Sequence, residues 1–177
     1  MSAAVEYGRA LFLLSEETGS TEAIKEQAAD VSKLLAKNEK YIKLLDTPAL
    51  SKPEKLGLID QAFGTLNKNL VNLIKILCEG HSVYLFPAVA SAFSDEYDKS
   101  RGIERVEAVT AVGMTDEQIK AMKSKLSALT GKTIILKNTI DPSIIGGVKL
   151  RYSGIQLDSS IKTRLERFEH TLKSVVL

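Results

Sequence analysis

At 177 residues the chain fits one ordinary domain or two small ones, and its 44% hydrophobic and 26% charged residues are those of a soluble globular protein rather than a disordered one. A net charge of +2 is too small to argue for nucleic acid or an anionic membrane surface, and the single cysteine, Cys78, excludes an internal disulfide and fits a reducing compartment. No basic-then-apolar leader starts the chain and no apolar run approaches the roughly 20 residues that span a bilayer, so membrane association is expected only through a partner. The charge is uneven: residues 1–105 carry 13 Lys/Arg against 15 Asp/Glu, and residues 106–177 carry 11 against 7. That division points to two regions with different partners. With no Trp and few aromatics, the core must come from Leu, Ile, Val and Ala, which favours helices.

To about residue 100 the sequence reads as helix after helix. In "AAVEYGRALFLL" and the residues after it, Val5, Gly8, Leu11, Phe12 and Ser15 share a face, and Gly8 and Ala10 permit close approach of another helix. After "GS", Ile24, Ala28, Val31 and Leu35 are spaced four-three-four, an amphipathic stripe. Tyr41, Leu44 and Leu45 mark a short third helix ended by Pro48. "SKPEKLGLIDQAF" opens with a capping box, Ser51 to Glu54, with Pro53 tolerated in the first turn; Leu56, Ile59 and Phe63 form its buried stripe. Leu70, Leu73, Ile74, Leu77 and Cys78 give the fifth helix a broad apolar face, and Gly80 ends it. A sixth, from about Ser82 to Arg101, turns Val89, Phe93 and Tyr97 inward, with a late start or kink at Pro87. Six helices with short connections predict a bundle.

The character then changes. "RVEAVTAV", between glycines 102 and 113, reads as a strand, and Thr115 with Gln118 has capping-box spacing. The helix that follows carries the stripe Ile119, Met122, Leu126 and Leu129 and is capped by Gly131. "KTIILKN" is a second strand; a third, from about Ile145 to Arg151, turns through "YSG" and pairs with "IQLD". Asp158 caps a last helix with Ile161, Leu165, Phe168, Leu172 and Val175 on one face. The expectation is an α+β chain: a six-helix bundle over residues 1–103, then a small α/β domain over 104–177 ending in an amphipathic helix.

Three motifs invite a chemical reading. "TGKT" at Thr130–Thr133 matches the end of a phosphate-binding loop, but Leu126 stands where the first glycine belongs. The order is also helix-then-strand, which presents the partial negative charge of a helix C-terminus. In "IDPSIIGGVKLRYSGIQLD", Gly146 and Gly147 lie where a loop after Asp141 and Pro142 enters a strand, and Gly154 fits a hairpin turn. These glycines shape turns, and Asp141 suits an Asx turn. Cys78 and His81 resemble a nucleophile and base, yet Cys78 lies on an apolar face, where thiols are usually inert. His81 and His170 with one cysteine make no standard zinc cluster. Lys162, Arg164, Arg167 and Lys173 give the last helix a solvated basic side. No cofactor, metal or catalytic set is expected. Two alternatives remain to test: a nucleotide-binding or phosphotransfer protein using "TGKT", and a nucleic-acid module using the basic C-terminal region.

From Ile140 to Phe168 the sequence resembles the C-terminal signature of the δ subunit of bacterial and chloroplast rotary ATP synthases, related to the mitochondrial oligomycin-sensitivity-conferring protein. The signature is matched by Ile140 to Gly147, the turn near Gly154, and Asp158, Ser160, Ile161, Lys162, Leu165 and Phe168. Tyr7 to Phe12 resembles the family's N-terminal opening, with Gly8 in place of the commoner alanine, and "NLIKIL" resembles its fifth helix. The resemblance implies a non-catalytic stator subunit. Its helical bundle would bind N-terminal segments of α subunits in a groove between the first and fifth helices, with Tyr7, Ala10, Leu11, Ile74 and Ile76 as candidates. Most of these also suit a bundle core; Tyr7 and Ile76 fall off the main stripes, which favours a partner-facing role. The C-terminal region would meet b-type stalk subunits, with Ile161, Leu165, Phe168 and Leu172 packing either on the stalk or on their own sheet. No nucleic acid is implied. The expected location is the cytoplasmic face of a bacterial cell membrane, as a peripheral part of the complex, because no transit peptide is present.

Overall fold

A computed structural model describes residues 2–144, 146–152 and 155–158. The fold is α+β, helical with a small mixed four-stranded sheet. The chain divides into two compact units, Met1–Ser100 and Arg101–Leu177.

The first unit is built from α1 (Ala3–Glu17), α2 (Thr21–Lys37), α3 (Glu39–Asp46), α4 (Lys52–Phe63), α5 (Lys68–Glu79) and α6 (Phe86–Ser100). The stripe of α2, Ile24, Ala28, Val31 and Leu35, is buried throughout, as are Leu70, Leu73, Ile74, Leu77 and Cys78 of α5. Each such side chain, fully withdrawn from water, stabilises the fold by roughly 1.5–3 kcal/mol before entropy is counted. α1 packs closely on α6 because Gly8 has no side chain: a Cβ there would stand 2.6 Å from Ala92 Cβ and 2.8 Å from both Phe93 N and Val89 O. That approach brings Phe12 edge-on to Phe93, ring centroids 5.9 Å apart. Pro87 sits just inside α6, after a 3₁₀ turn at Val83–Leu85, so the helix starts late without losing a needed N–H. At α4, the Glu54 carboxylate accepts the Ser51 N–H at 2.7 Å and the Ser51 hydroxyl at 2.6 Å.

Three assignments in this region need correction. Ala4, not Val5, is the first buried residue of α1, because the close approach set by Gly8 selects the small side chain. Leu44 is exposed while Leu45 is wholly buried: adjacent helical residues point about 100° apart, and in α3 only the side that Leu45 faces is covered. In α4 the buried set is Lys55, Ile59 and Phe63, with Leu56 only half-buried.

The second unit contains β1 (Ile103–Thr110), α7 (Asp116–Thr130), β2 (Thr133–Ile140), β3 (Val148–Tyr152) and β4 (Ile155–Asp158), with strand order β2-β1-β3-β4. β1 and β2 are parallel, joined through α7; β3 pairs antiparallel with β1 and with β4. Thr115 Oγ1 accepts the Gln118 N–H at 3.3 Å and Gln118 Oε1 accepts the Thr115 N–H at 3.0 Å, completing the box that starts α7. Gly131 ends it in the left-handed region, φ 68°.

β1 begins two residues earlier than the sequence pattern suggests and stops at Thr110. There the Asp141 N–H donates to the Thr110 carbonyl and the Thr110 hydroxyl to that of Val112, turning Ala111 and Val112 off the ladder. β3 starts only after Gly147, whose φ of 88° interrupts the strand. In α7 no residue is fully buried: Ile119, Met122 and Leu126 are half-buried and Leu129 is 83% exposed, in the turn that Gly131 closes. Gly154 and the segment expected to form a last helix, with Ile161, Leu165, Phe168 and Leu172, lie outside the described residues, as do His170 and the basic positions Lys162, Arg164, Arg167 and Lys173.

Candidate partner-binding surfaces

Each unit presents an apolar surface that its own described residues leave open. On α1, Tyr7, Ala10 and Leu14 are spaced three and four and so share a face. Tyr7 is half-buried, Ala10 exposed and Leu14 41% exposed. α5, which packs against α1, carries Ile76 at 52% exposure. Leu11 and Ile74 are different: both are buried in the unit's interior, so their side chains serve as floor rather than contact surface. They fall on the main apolar stripes of their helices, and that spacing turns them inward. Leu14 was missed by sequence reasoning; its position four residues beyond Ala10 and three beyond Leu11 could have marked it.

In the second unit the register fixes which side chains share a face. Ala108 pairs with Leu150 and Thr110 with Val148, so these four point to one side of the sheet. Between that side and α7 lies a groove of 710 Å³, lined among others by Val112, Met114, Met122, Leu126, Val148 and Leu150, with Gly146 and Gly147 at its edge. Its lining is overwhelmingly apolar. The opposite side of the sheet is charged. Glu107 accepts a hydrogen bond from the Thr139 hydroxyl at 2.7 Å and meets Arg151 Nη1 at 3.5 Å, and the Thr139 contact, aided by Arg151, holds its carboxyl below the usual range.

The motifs that suggested chemistry have local roles here. Lys132 of "TGKT" pairs with Glu104 at 2.7 Å, and its carbonyl accepts the Ser127 hydroxyl at 2.7 Å. Gly131 closes a helix C-terminus, where partial negative charge repels phosphate. The nucleotide-binding alternative therefore has no support at this loop. Asp141 Oδ1 accepts the Ser143 N–H at 2.9 Å, an Asx turn that with Pro142 leads into the Gly146–Gly147 bend; bonding to Ser143 lowers the Asp141 pKa. The Cys78 thiol is buried, directed at the Leu45 carbonyl 3.9 Å away, and burial pushes its pKa up, the reverse of what an activated nucleophile needs. Among the described residues no group of three His, Cys, Asp or Glu side chains could hold a metal.

Two apolar surfaces on an α+β chain, each on its own compact unit, define an interaction protein. The sequence places it further: residues 3–172 match the ATP synthase delta (OSCP) subunit family, and the chain belongs to that family. It is 33% identical over 170 residues to the ATP synthase subunit delta of Geobacillus sp. (strain WCH70), covering 96% of each chain. It is 30% identical to that of Clostridioides difficile (strain 630), covering 96% of this chain and 95% of the relative. Its fold is similar to that of a chain in the cryo-EM structure of the Toxoplasma gondii mitochondrial ATP synthase hexamer. That likeness has a TM-score of 0.74 at 23% identity and covers 97% of this chain and 98% of that one. As a member of the family, the chain is a peripheral-stalk, or stator, subunit of an ATP synthase.

Proposed function

We propose that this subunit works without an active site of its own, as a bracket that links the catalytic head of the synthase to its stalk and resists rotor torque. The first unit, taken as a six-helix bundle over residues 1–103, binds the N-terminal segment of α subunits. An amphipathic peptide lies along α1 and α5 against Tyr7, Ala10, Leu14 and Ile76, and Leu11 and Ile74 brace the surface from beneath. The second unit, residues 104–177, meets the b-type stalk subunits through Ile161, Leu165, Phe168 and Leu172 together with the groove beside α7. Asp141, Pro142, Gly146 and Gly147 shape the backbone that leads to that groove. Association with the membrane, at the cytoplasmic face of a bacterial cell membrane, runs entirely through the complex, and nucleic acid plays no part. Among the described residues no helix is long and apolar enough to cross a membrane.

The observation that carries the reading is the apolar exposure of Leu14 on α1 and Ile76 on α5, two helices that pack together. An apolar helix face with anchors at i, i+3 and i+7 is the complement of a helix-in-groove ligand. A stator contact must dissociate slowly under load, and buried apolar anchors achieve this through a low off-rate. Titration calorimetry of the full chain with a peptide from the α-subunit N-terminus tests it. Binding is expected, and Ile76→Glu is expected to weaken it by about tenfold or more, roughly 1.4 kcal/mol, without unfolding the exposed site. Binding unchanged by Ile76→Glu and Leu14→Glu together would place the α contact elsewhere.

A further inference from the structure

Lys55 has no role in the surfaces described above. It lies one turn into α4 and is 7% exposed, the only lysine among the described residues that is fully buried. Other lysines of this region meet carboxylates: Lys52 reaches Glu79 at 3.0 Å and Lys75 reaches Asp60 at 2.6 Å. Lys55 forms no hydrogen bond or ion pair with any described residue, and Asp46, whose Oδ1 is buried without a hydrogen-bond partner, does not pair with it. The Lys55 stem is buried while its Nζ, unlike Asp46 Oδ1, keeps some exposure, so it matters what space the ammonium borders.

That space is a 370 Å³ pocket between the α3–α4 connection and the end of α5, lined by Pro48, Leu50, Leu56, Cys78 and His81 together with Lys52, Lys55 and Glu79. Its size falls at the small end of ligand pockets. Its apolar wall is Pro48, Leu50 and Leu56. Glu79 is already neutralised by Lys52, and Cys78, its pKa raised by burial, stays a neutral thiol. Among the described residues lining the pocket, Lys55 is therefore the one lysine that forms no ion pair. We propose that this pocket binds a monocarboxylate carried on a short apolar body. The carboxylate pairs with Lys55 Nζ, and the body lies against Pro48, Leu50 and Leu56. One negative charge matches the one lining lysine that forms no ion pair among the described residues. A free short-chain acid and the apolar C-terminal residue of a peptide share this chemistry.

The test uses the full chain and amide NMR. Hexanoate is expected to shift the amides of Lys55, Leu56, Glu79 and His81 with an affinity of about 1 mM, the range open to a ligand of so few atoms. 1-Hexanol, equally apolar but uncharged, is expected to bind about tenfold more weakly or worse. Lys55→Met keeps the stem and removes the charge; it is expected to abolish the preference for hexanoate. Lys55→Gln serves as a second variant of different shape, with the same loss expected. Acetyl-alanyl-leucine, compared with its amide, separates the two sources. Tighter binding than hexanoate with loss in the amide assigns the pocket to a chain terminus; weaker binding assigns it to a free acid. Equal response to hexanoate and hexanol, a preference that survives both Lys55 variants, or no shift at these amides overturns the proposal.

Discussion

The two units of this chain bury their side chains to different depths. In the first, Phe86, Phe93, Ile24, Leu35, Leu45, Ile59 and Leu70 are all but sealed from water. In the second, α7 has no fully buried residue among those described, and the best-covered positions are strand residues such as Val106, Ala108 and Val109. A helix surrounded by other helices hides its stripe on several neighbours. A helix lying on one side of a sheet hides only the strip that touches strands, and its flanks border a groove. The lesson is about tolerance to change. Sealed positions should respond to small changes of volume, whereas α7 should accept large ones.

The strongest test of that contrast is Phe93→Ala. Its ring is fully buried and packs edge-on against Phe12, so its removal is expected to cost about 3–5 kcal/mol. Hydrogen exchange should register the loss in α1 and α6 amides. A cost near zero would mean that the first unit is as loosely covered as α7. Gly8→Ala comes next. The added methyl meets backbone atoms of α6 at 2.8 Å, which cannot rotate away, and the overpacking is expected to cost about 1–3 kcal/mol in denaturant unfolding. Thr115→Ala follows at about 1 kcal/mol, because it removes the oxygen that accepts the Gln118 N–H, and the loss should appear as fraying confined to the first turn of α7. Leu129→Lys should change stability by less than about 0.5 kcal/mol. A large loss there would show that the exposed leucine is covered in solution.

These same positions explain how far the sequence could be read. Where a stripe meets apolar neighbours all along its length, spacing alone identifies it, as in Ile24, Ala28, Val31 and Leu35. Capping boxes were equally legible at Ser51 and Thr115, since each depends only on residues three apart. Spacing fails where a neighbour decides. Leu129 continues the α7 period but nothing described covers it, and Val5 loses to Ala4 because α6 comes too close at Gly8. Lys55 was invisible for the same reason: a lysine in an amphipathic helix is expected outside, and only the fold places it against a pocket. For the candidate surfaces, Tyr7 and Ile76 could be chosen because they fall off the stripes, while Leu11 and Ile74 fall on them and lie inside.

The smallest expected effect compares one carboxylate from each unit. Glu54 starts α4 in the first, and Asp141 holds the turn before β3 in the second; hydrogen bonds from Ser51 and from Ser143 lower their pKa values. A carboxyl whose pKa is lower folded than unfolded contributes stability that is fully present above the unfolded value and is lost as pH falls through the folded one. With reference values of about 4.3 for Glu and 3.9 for Asp, both contributions should hold at neutral pH and fade only in more acidic solution. Carboxyl NMR titration should find both groups protonating below those references. Glu54→Gln, whose amide oxygen still accepts the Ser51 N–H, should remove the pH dependence at the α4 start and leave that of the Asp141 turn; Asp141→Asn should do the reverse. If either substitution flattened both responses, the two turns would be coupled across the units rather than set by their local hydrogen bonds.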